Sequence, residues 1–383
     1  MSESLNVLPQ PLSEAHDYES IAPPAEFAEA LWPLDNLRNT EITNEIASLG
    51  RLLFYDPQIS ASGTVSCSSC HHPKAGFSDP RARSVGVSGE ELPRNSMSLI
   101  NARYAPSGKY FWDERASSLR EQVLMPIQHV DEMGTTLDDL IKHLSEDETY
   151  SNLFEVAFGN REATPERISM ALTQFIGCIV SFDSKYDRGL IKHQDPLVPF
   201  ENFTAQENRG KEIFMTFGQC AKCHLPGSVE DDLLAAPLPQ QAVIFQTAFT
   251  AANGIDSDLP DSDLGVASQS SVSTDRGKFK VGTLRNLSLT APYMHDGRFA
   301  SINLVLEHYN WSVRPHPNLD PRLEEFAYAG LAISQIDKEA LESFLLTLQD
   351  ETIANDPRLS NPFESALESG SIVDDPEDTA GTP

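Results

Sequence analysis

Basic residues are scarce in this chain of 383 residues: 28 Lys and Arg stand against 57 Asp and Glu, a formal charge of −29. Such a surface repels phosphate backbones and anionic headgroups, which excludes nucleic acid as a partner. It suits a basic protein partner or serves solubility. Long apolar runs are missing too. None approaches the ~18 residues of a membrane span, so no transmembrane helix is expected. The opening Met1-Ser2-Glu3-Ser4-Leu5-Asn6 lacks the basic region and apolar stretch of a secretory leader. No strand-rich region is visible. What remains is a globular composition, 40% hydrophobic and 22% charged, with length for about two to three domains and a mainly α reading.

Cysteine is also sparing, but its placement is informative. Four of the 5 cysteines form two C-x-x-C pairs, each followed at once by histidine: Cys67-Ser68-Ser69-Cys70-His71 and Cys220-Ala221-Lys222-Cys223-His224. C-x-x-C-H is the attachment sequence of c-type haem: two thiols bond the porphyrin and the next imidazole reaches the iron. A thioredoxin-type pair needs no following His, and a zinc ribbon would use the four sulfurs alone. Two haem c groups are therefore expected, bound at Cys67, Cys70, His71 and at Cys220, Cys223, His224. Haem c is attached outside the cytoplasm, so a periplasmic location is expected although no leader is visible. Cys178 lies among Ile168, Leu172, Phe175 and Ile179 at helical spacing and reads as a buried small apolar residue.

The organisation follows the two haem motifs. Residues 1–37 carry no Lys or Arg and read as an acidic extension that wraps or frays. A helix with Ile42, Ile46, Leu49 and Leu53 on one face contains Gly50-Arg51-Leu52-Leu53-Phe54 upstream of the first motif. Gly210-Lys211-Glu212-Ile213-Phe214 stands upstream of the second, a weak internal repeat. Two cytochrome c-like haem domains packed against each other follow as an expectation, over 38–197 and 198–352, with an acidic, partly disordered tail at 353–383. Residues 135–193 read as helical and 226–275 as a long connecting loop. Ser301 should cap a short helix to about Tyr309, and Ser334-Gln335-Ile336-Asp337 resembles a capping box before an amphipathic helix.

Three further stretches give the chain a family likeness: Arg94-Asn95-Ser96; Phe111-Trp112-Asp113-Glu114-Arg115 followed by Glu132-Met133-Gly134; and Phe279–Asn286 with Ala291-Pro292-Tyr293-Met294-His295-Asp296-Gly297-Arg298-Phe299. In order and spacing, from about residue 40 to 350, they resemble the bacterial di-haem cytochrome c peroxidase/MauG superfamily. Glu114 departs from the pattern, where glycine is usual.

The resemblance implies a peroxidase that reduces hydrogen peroxide with electrons from a small redox protein (a cytochrome c or cupredoxin). The alternatives are an oxidase modifying side chains of a partner protein, or a di-haem electron carrier without catalysis. It implies the N-terminal haem as the peroxidatic one, with Glu132 as its acid/base group and Gln122 and Pro126 lining the same pocket. Trp112 would lie between the haems and relay electrons. Asn95, Thr290 and Pro292 match positions whose oxygens bind calcium, a hard cation suited to such ligands. Many family peroxidases carry a blocking histidine before Arg-Asn-Ser; residues 84–93 contain none, so the first haem is expected to be open without prior reduction. For the second haem the family position of the distal ligand falls on Tyr309, as in MauG-like members. Met294, His308 or an open site remain alternatives. Residues 214–219 lack the tryptophan that MauG carries before its second motif. The family often forms homodimers. His16, His72, His129, His143, His193 and His316 are expected to be structural or exposed.

Overall fold

The computed structural model describes residues 16–225, 242–256 and 263–363. Its longer helices begin where the sequence supplies a side-chain oxygen for the orphan N–H groups of the first turn. Thr43, Thr136, Asp147, Thr164, Ser184, Thr204 and Ser334 each accept such a hydrogen bond. They start α2 (Asn44–Tyr55), α3 (Leu137–Glu146), α4 (Glu148–Phe158), α5 (Pro165–Gly177), α6 (Lys185–His193), α7 (Ala205–Met215) and α8 (Gln335–Leu346). Only α1 (Ala25–Leu31), led in by Pro24, lacks a side-chain cap among these. Among the described residues one sheet is found: Thr250–Ala251 pairs antiparallel with Phe279–Lys280, Thr250 opposite Lys280. No helix of the described residues is long and apolar enough to cross a membrane.

The repeated glycine explains how the helices pair. A Cβ on Gly50 of α2 would stand 1.9 Å from the carbonyl oxygen of Ala171 on α5 and 2.9 Å from Phe175 Cβ. A Cβ on Gly210 of α7 would stand 1.8 Å from the carbonyl oxygen of Ala340 on α8 and 2.8 Å from Phe344 Cβ. Each glycine thus lets one helix lie directly on the backbone of another, and an Ala/Phe pair one turn apart receives it in both places. Around α2 and α5 a hydrophobic cluster gathers Leu49, Leu53, Phe54, Ala171 and Phe175; around α7 and α8 a second gathers Ile213, Phe214, Leu341, Phe344 and Leu348. Cys178 closes the C-terminus of α5, 1% exposed, inside the first cluster.

Several terminal and connecting segments are better packed than their composition predicts. Tyr18 is buried in the first cluster and donates to the Arg358 carbonyl at 2.7 Å, while Phe27 and Leu31 of α1 enter the second. Residues 353–363 return to the first cluster because Ile353 and Leu359 are apolar. Arg51 Nε donates to the Ser360 carbonyl at 2.7 Å and Tyr55 donates to that of Leu359. Within the long connection, Ala242–Phe245 are buried in the second cluster. The remainder of that connection at 226–241 and 257–262, and the tail at 364–383, lie outside the described residues. Ser334 caps α8 as expected, but the Asp337 carboxylate accepts the Ser334 hydroxyl at 3.0 Å in place of the backbone N–H of a full capping box. Ser301 caps Ile302–Glu307, which widens into a π turn at His308–Ser312.

Candidate active site

A cavity of about 670 Å³ is lined from both clusters, and both C-x-x-C-H segments stand on its wall. The two segments fold alike. His71 N–H donates to the Cys67 carbonyl and His224 N–H to that of Cys220, each at 3.0 Å, so each histidine lies one tight turn beyond its first cysteine. The four thiols form no disulfides. Burial raises Cys67 and Cys220 to about 12 and Cys223 to about 11, so they are neutral thiols. Burial also lowers both imidazoles, His224 to about 4, which leaves them neutral as a metal ligand must be.

These residues fit haem c. His71 Nδ1 is tied to the Phe77 carbonyl at 2.9 Å, the outer partner that a ligating histidine normally has, which leaves Nε2 for a metal. His224 Nδ1 is buried without a hydrogen-bond partner, and the Gly282 backbone is the polar group acting on it. Two unpaired thiols and one neutral imidazole at each end of an apolar cavity form a donor set for two porphyrins.

Glu132 lies on the same wall, in a turn built by its neighbours: the His129 carbonyl accepts from Glu132 N–H at 3.0 Å and from Gly134 N–H at 2.9 Å. Gly134 takes the left-handed conformation (φ +67°) that the turn requires. Burial raises the Glu132 carboxyl, while His129 and then Arg115 pull it back. Residues 84–93 pack on this turn. Val87 N–H donates to the Glu132 carbonyl at 2.9 Å, and a Cβ on Gly86 would stand 2.0 Å from the Asp131 carbonyl oxygen. From that segment only Leu92 and Pro93 reach the cavity.

The other singled-out residues also meet this cavity. Gln122 and Pro126 line it close to Glu132 in the chain. Trp112 lines it too, its indole N–H donating to the Asn95 carbonyl at 2.8 Å and its own carbonyl accepting from Lys280 N–H at 2.8 Å. Asn95, Thr290 and Pro292 all reach the wall; Asn95 Nδ2 donates to the carbonyls of Arg81 and Ala82 at 3.1 Å each. Tyr309 and Met294 both line the second end. His308 is not among the lining residues; it is buried, with Nε2 donating to the Asn253 carbonyl at 3.0 Å. Asn253 also donates to Met294 Sδ at 3.4 Å, and its side chain holds down a Tyr309 phenol that burial otherwise raises.

Residues 44–195 match the family model for di-haem cytochrome c peroxidase. The methylamine utilization protein MauG of Methylorubrum extorquens is 32% identical over 314 residues, covering 82% of this chain and 80% of that protein. The chain belongs to the di-haem cytochrome c peroxidase/MauG family. The cytochrome c551 peroxidase of Nitrosomonas europaea is likewise 32% identical, over 69% of this chain and 72% of its own. The crystal structure of a MauG-like protein associated with microbial copper homeostasis superposes with a TM-score of 0.69 at 29% identity, over 85% of this chain and 95% of that one. The protein is thus an oxidoreductase of the di-haem peroxidase type, helix-rich like its relatives.

Parts of this di-haem site escaped the sequence. His129 is exposed, as read, but it also lines the cavity, with Nδ1 3.8 Å from Glu132 Oε1 and accepting from Asp131 N–H at 3.3 Å. Its spacing three residues before Glu132 in a glycine turn was the available signal. Gly86 and Asn253 gave none, since both act through tertiary contacts. Gly86→Ala should push the Glu132 turn away and slow the reaction with peroxide by about 10²-fold, the scale of an ångström-level misplacement. Stopped-flow absorbance would check this; an unchanged rate would show that the turn does not depend on the close contact.

Proposed function

We propose that this protein is an exported, periplasmic peroxidase that reduces hydrogen peroxide with electrons from a small redox protein, and that Tyr309 ligates its second haem. One observation carries the reading. A half-buried carboxyl, Glu132, shares the cavity wall with His71, and no histidine from residues 84–93 stands there. Haem iron at each end would supply the redox change and, at the first, a place for peroxide. The remaining chemistry belongs to the chain. Glu132 moves the proton that must pass from one peroxide oxygen to the other, a task for a carboxyl whose pKa burial raises. Gln122 and Pro126 border the space in which peroxide would lie. His129 and then Arg115 oppose that rise. Two electrons and two protons convert each peroxide to two waters, and Trp112, on the wall of the same cavity, is the relay we propose.

The domains are 38–197 with the first motif and 198–352 with the second, although Tyr104, Phe182, Tyr186 and Leu190 of the first pack into the second cluster. Calcium would take neutral oxygens of Asn95, Thr290 and Pro292; with Asn95 Nδ2 committed to two carbonyls, its Oδ1 is the atom free for a cation. A homodimer is the assembly in keeping with the family. A second reading, oxidation of a partner protein's side chains, is favoured by the likeness to MauG over 82% of the chain, while the absence of tryptophan at 214–219 counts against a MauG-type substrate. Turnover with peroxide and reduced c-type cytochrome tests the choice. Two cytochromes oxidised per peroxide at a sustained rate support the peroxidase; peroxide consumed with negligible donor oxidation overturns it in favour of the second reading.

A further inference from the structure

Glu114 is placed where its backbone is least comfortable. At φ +57° it occupies the left-handed region that favours glycine, and its side chain is only 10% exposed. Its carboxylate points at a buried cation, with Oε1 3.5 Å from Lys280 Nζ and Oε2 3.6 Å from Lys109 Nζ. Lys280 is 3% exposed at the side chain, and its ammonium otherwise meets only neutral oxygens: Ser107 Oγ at 2.6 Å and the Lys109 carbonyl at 2.9 Å. The same Lys280 holds Trp112 by its backbone N–H. The ion pairs made by residues adjacent to Trp112 or to its hydrogen-bond partners set Arg94, Lys109, Arg115 and Lys280 against Asp113, Asp263 and Glu114. Without Glu114 four cations would face two carboxylates.

From this geometry we infer that Glu114 is a positioning and charge-balancing residue that makes Trp112 oxidisable, by neutralising Lys280 beside it. The inference rests on the relay reading of Trp112. In one passage the indole loses an electron toward the His71 side and regains one from the His224 side, with hydrogen peroxide as the oxidant. The indole proton stays in place, because its partner, the Asn95 carbonyl, is a neutral acceptor. Between the two transfers the ring therefore carries a full positive charge. An unpaired ammonium next to it opposes that charge, and a paired one does not. Glu114 does not line the cavity, so it touches neither peroxide nor porphyrin. Its effect is confined to the relay.

The test uses the full-length di-haem protein, rapidly frozen at intervals after peroxide is added without donor. Electron paramagnetic resonance follows the ferric signal of each haem. In Glu114→Gln the first-haem signal should disappear at the wild-type rate and the second about tenfold more slowly, the effect of one unit charge within ~10 Å at an effective permittivity of ~20. Glu114→Gly, which relieves the backbone but also removes the charge, should be as slow. Adding Lys280→Met to Glu114→Gln should restore the wild-type rate, which a purely structural role for Glu114 would not produce. Wild-type rates for both signals in Glu114→Gln, or no rescue by Lys280→Met, overturns the inference while the peroxidase reading stands. Ferric signals that peroxide leaves unchanged in the wild-type protein overturn that reading and the inference with it.

Discussion

Glu132→Gln should lower the rate of reaction with peroxide by about 10²–10⁴-fold, the usual worth of a positioned acid/base group. Glutamine keeps the shape and a hydrogen-bonding oxygen but cannot carry a proton from one peroxide oxygen to the other. Binding need not suffer, so cyanide should still enter the first haem of the variant. The pH dependence gives an independent check. Burial raises the Glu132 pKa, and the carboxylate is the form that accepts the first proton, so the wild-type rate should climb as pH rises through that value. The variant should show no such rise. Stability should move the other way. The unfolded chain has the lower carboxyl pKa, so from the ordinary carboxylate range up through the raised one the folded state holds the extra proton and loses stability as pH increases. Glu132→Gln lacks that titration and should be the more stable protein at neutral pH. A fully active Gln variant would remove Glu132 from the mechanism.

The haem motifs were legible because covalent attachment is local chemistry: two thiols and an imidazole must be close in the chain, and C-x-x-C-H records that directly. Helix starts were legible for the same reason, since Ser301 and Ser334 act within one turn of themselves. Long-range approach leaves a fainter trace. The shared glycine at 50 and 210 showed as a five-residue repeat, but its purpose depends on Ala171 and Ala340, more than a hundred residues away in each chain half. His129 and Gly86 belong to the same class, one reaching Glu132 through a turn and the other through a backbone contact. Composition left the ends undecided between wrapping and fraying, and Tyr18, Ile353 and Leu359 make the described parts wrap. Average polarity says little where a few apolar anchors decide.

Tyr309→Met should raise the midpoint potential of the second haem by on the order of 0.3 V, a fraction of the ~0.8 V that axial ligands span. A phenolate is a hard anionic donor and favours the oxidised metal; a thioether is neutral and favours the reduced one. Tyr309 and Met294 stand on the same wall, so position alone does not separate them, but their chemistry does. Burial raises the Tyr309 phenol, so ionisation there requires a positive centre at the oxygen, and binding iron would couple directly to loss of the phenolic proton. Met294 Sδ already receives a hydrogen bond from Asn253 at 3.4 Å, which a thioether turned to the metal would have to give up. Spectroelectrochemistry of Tyr309→Met, Tyr309→Phe and Met294→Leu separates the two ligands. With Tyr309 as ligand, both tyrosine variants shift the second haem and Met294→Leu leaves it where it was. A shift confined to Met294→Leu would make the thioether the ligand, and the second haem would then be an easy entry point for electrons and a poor store of oxidising charge.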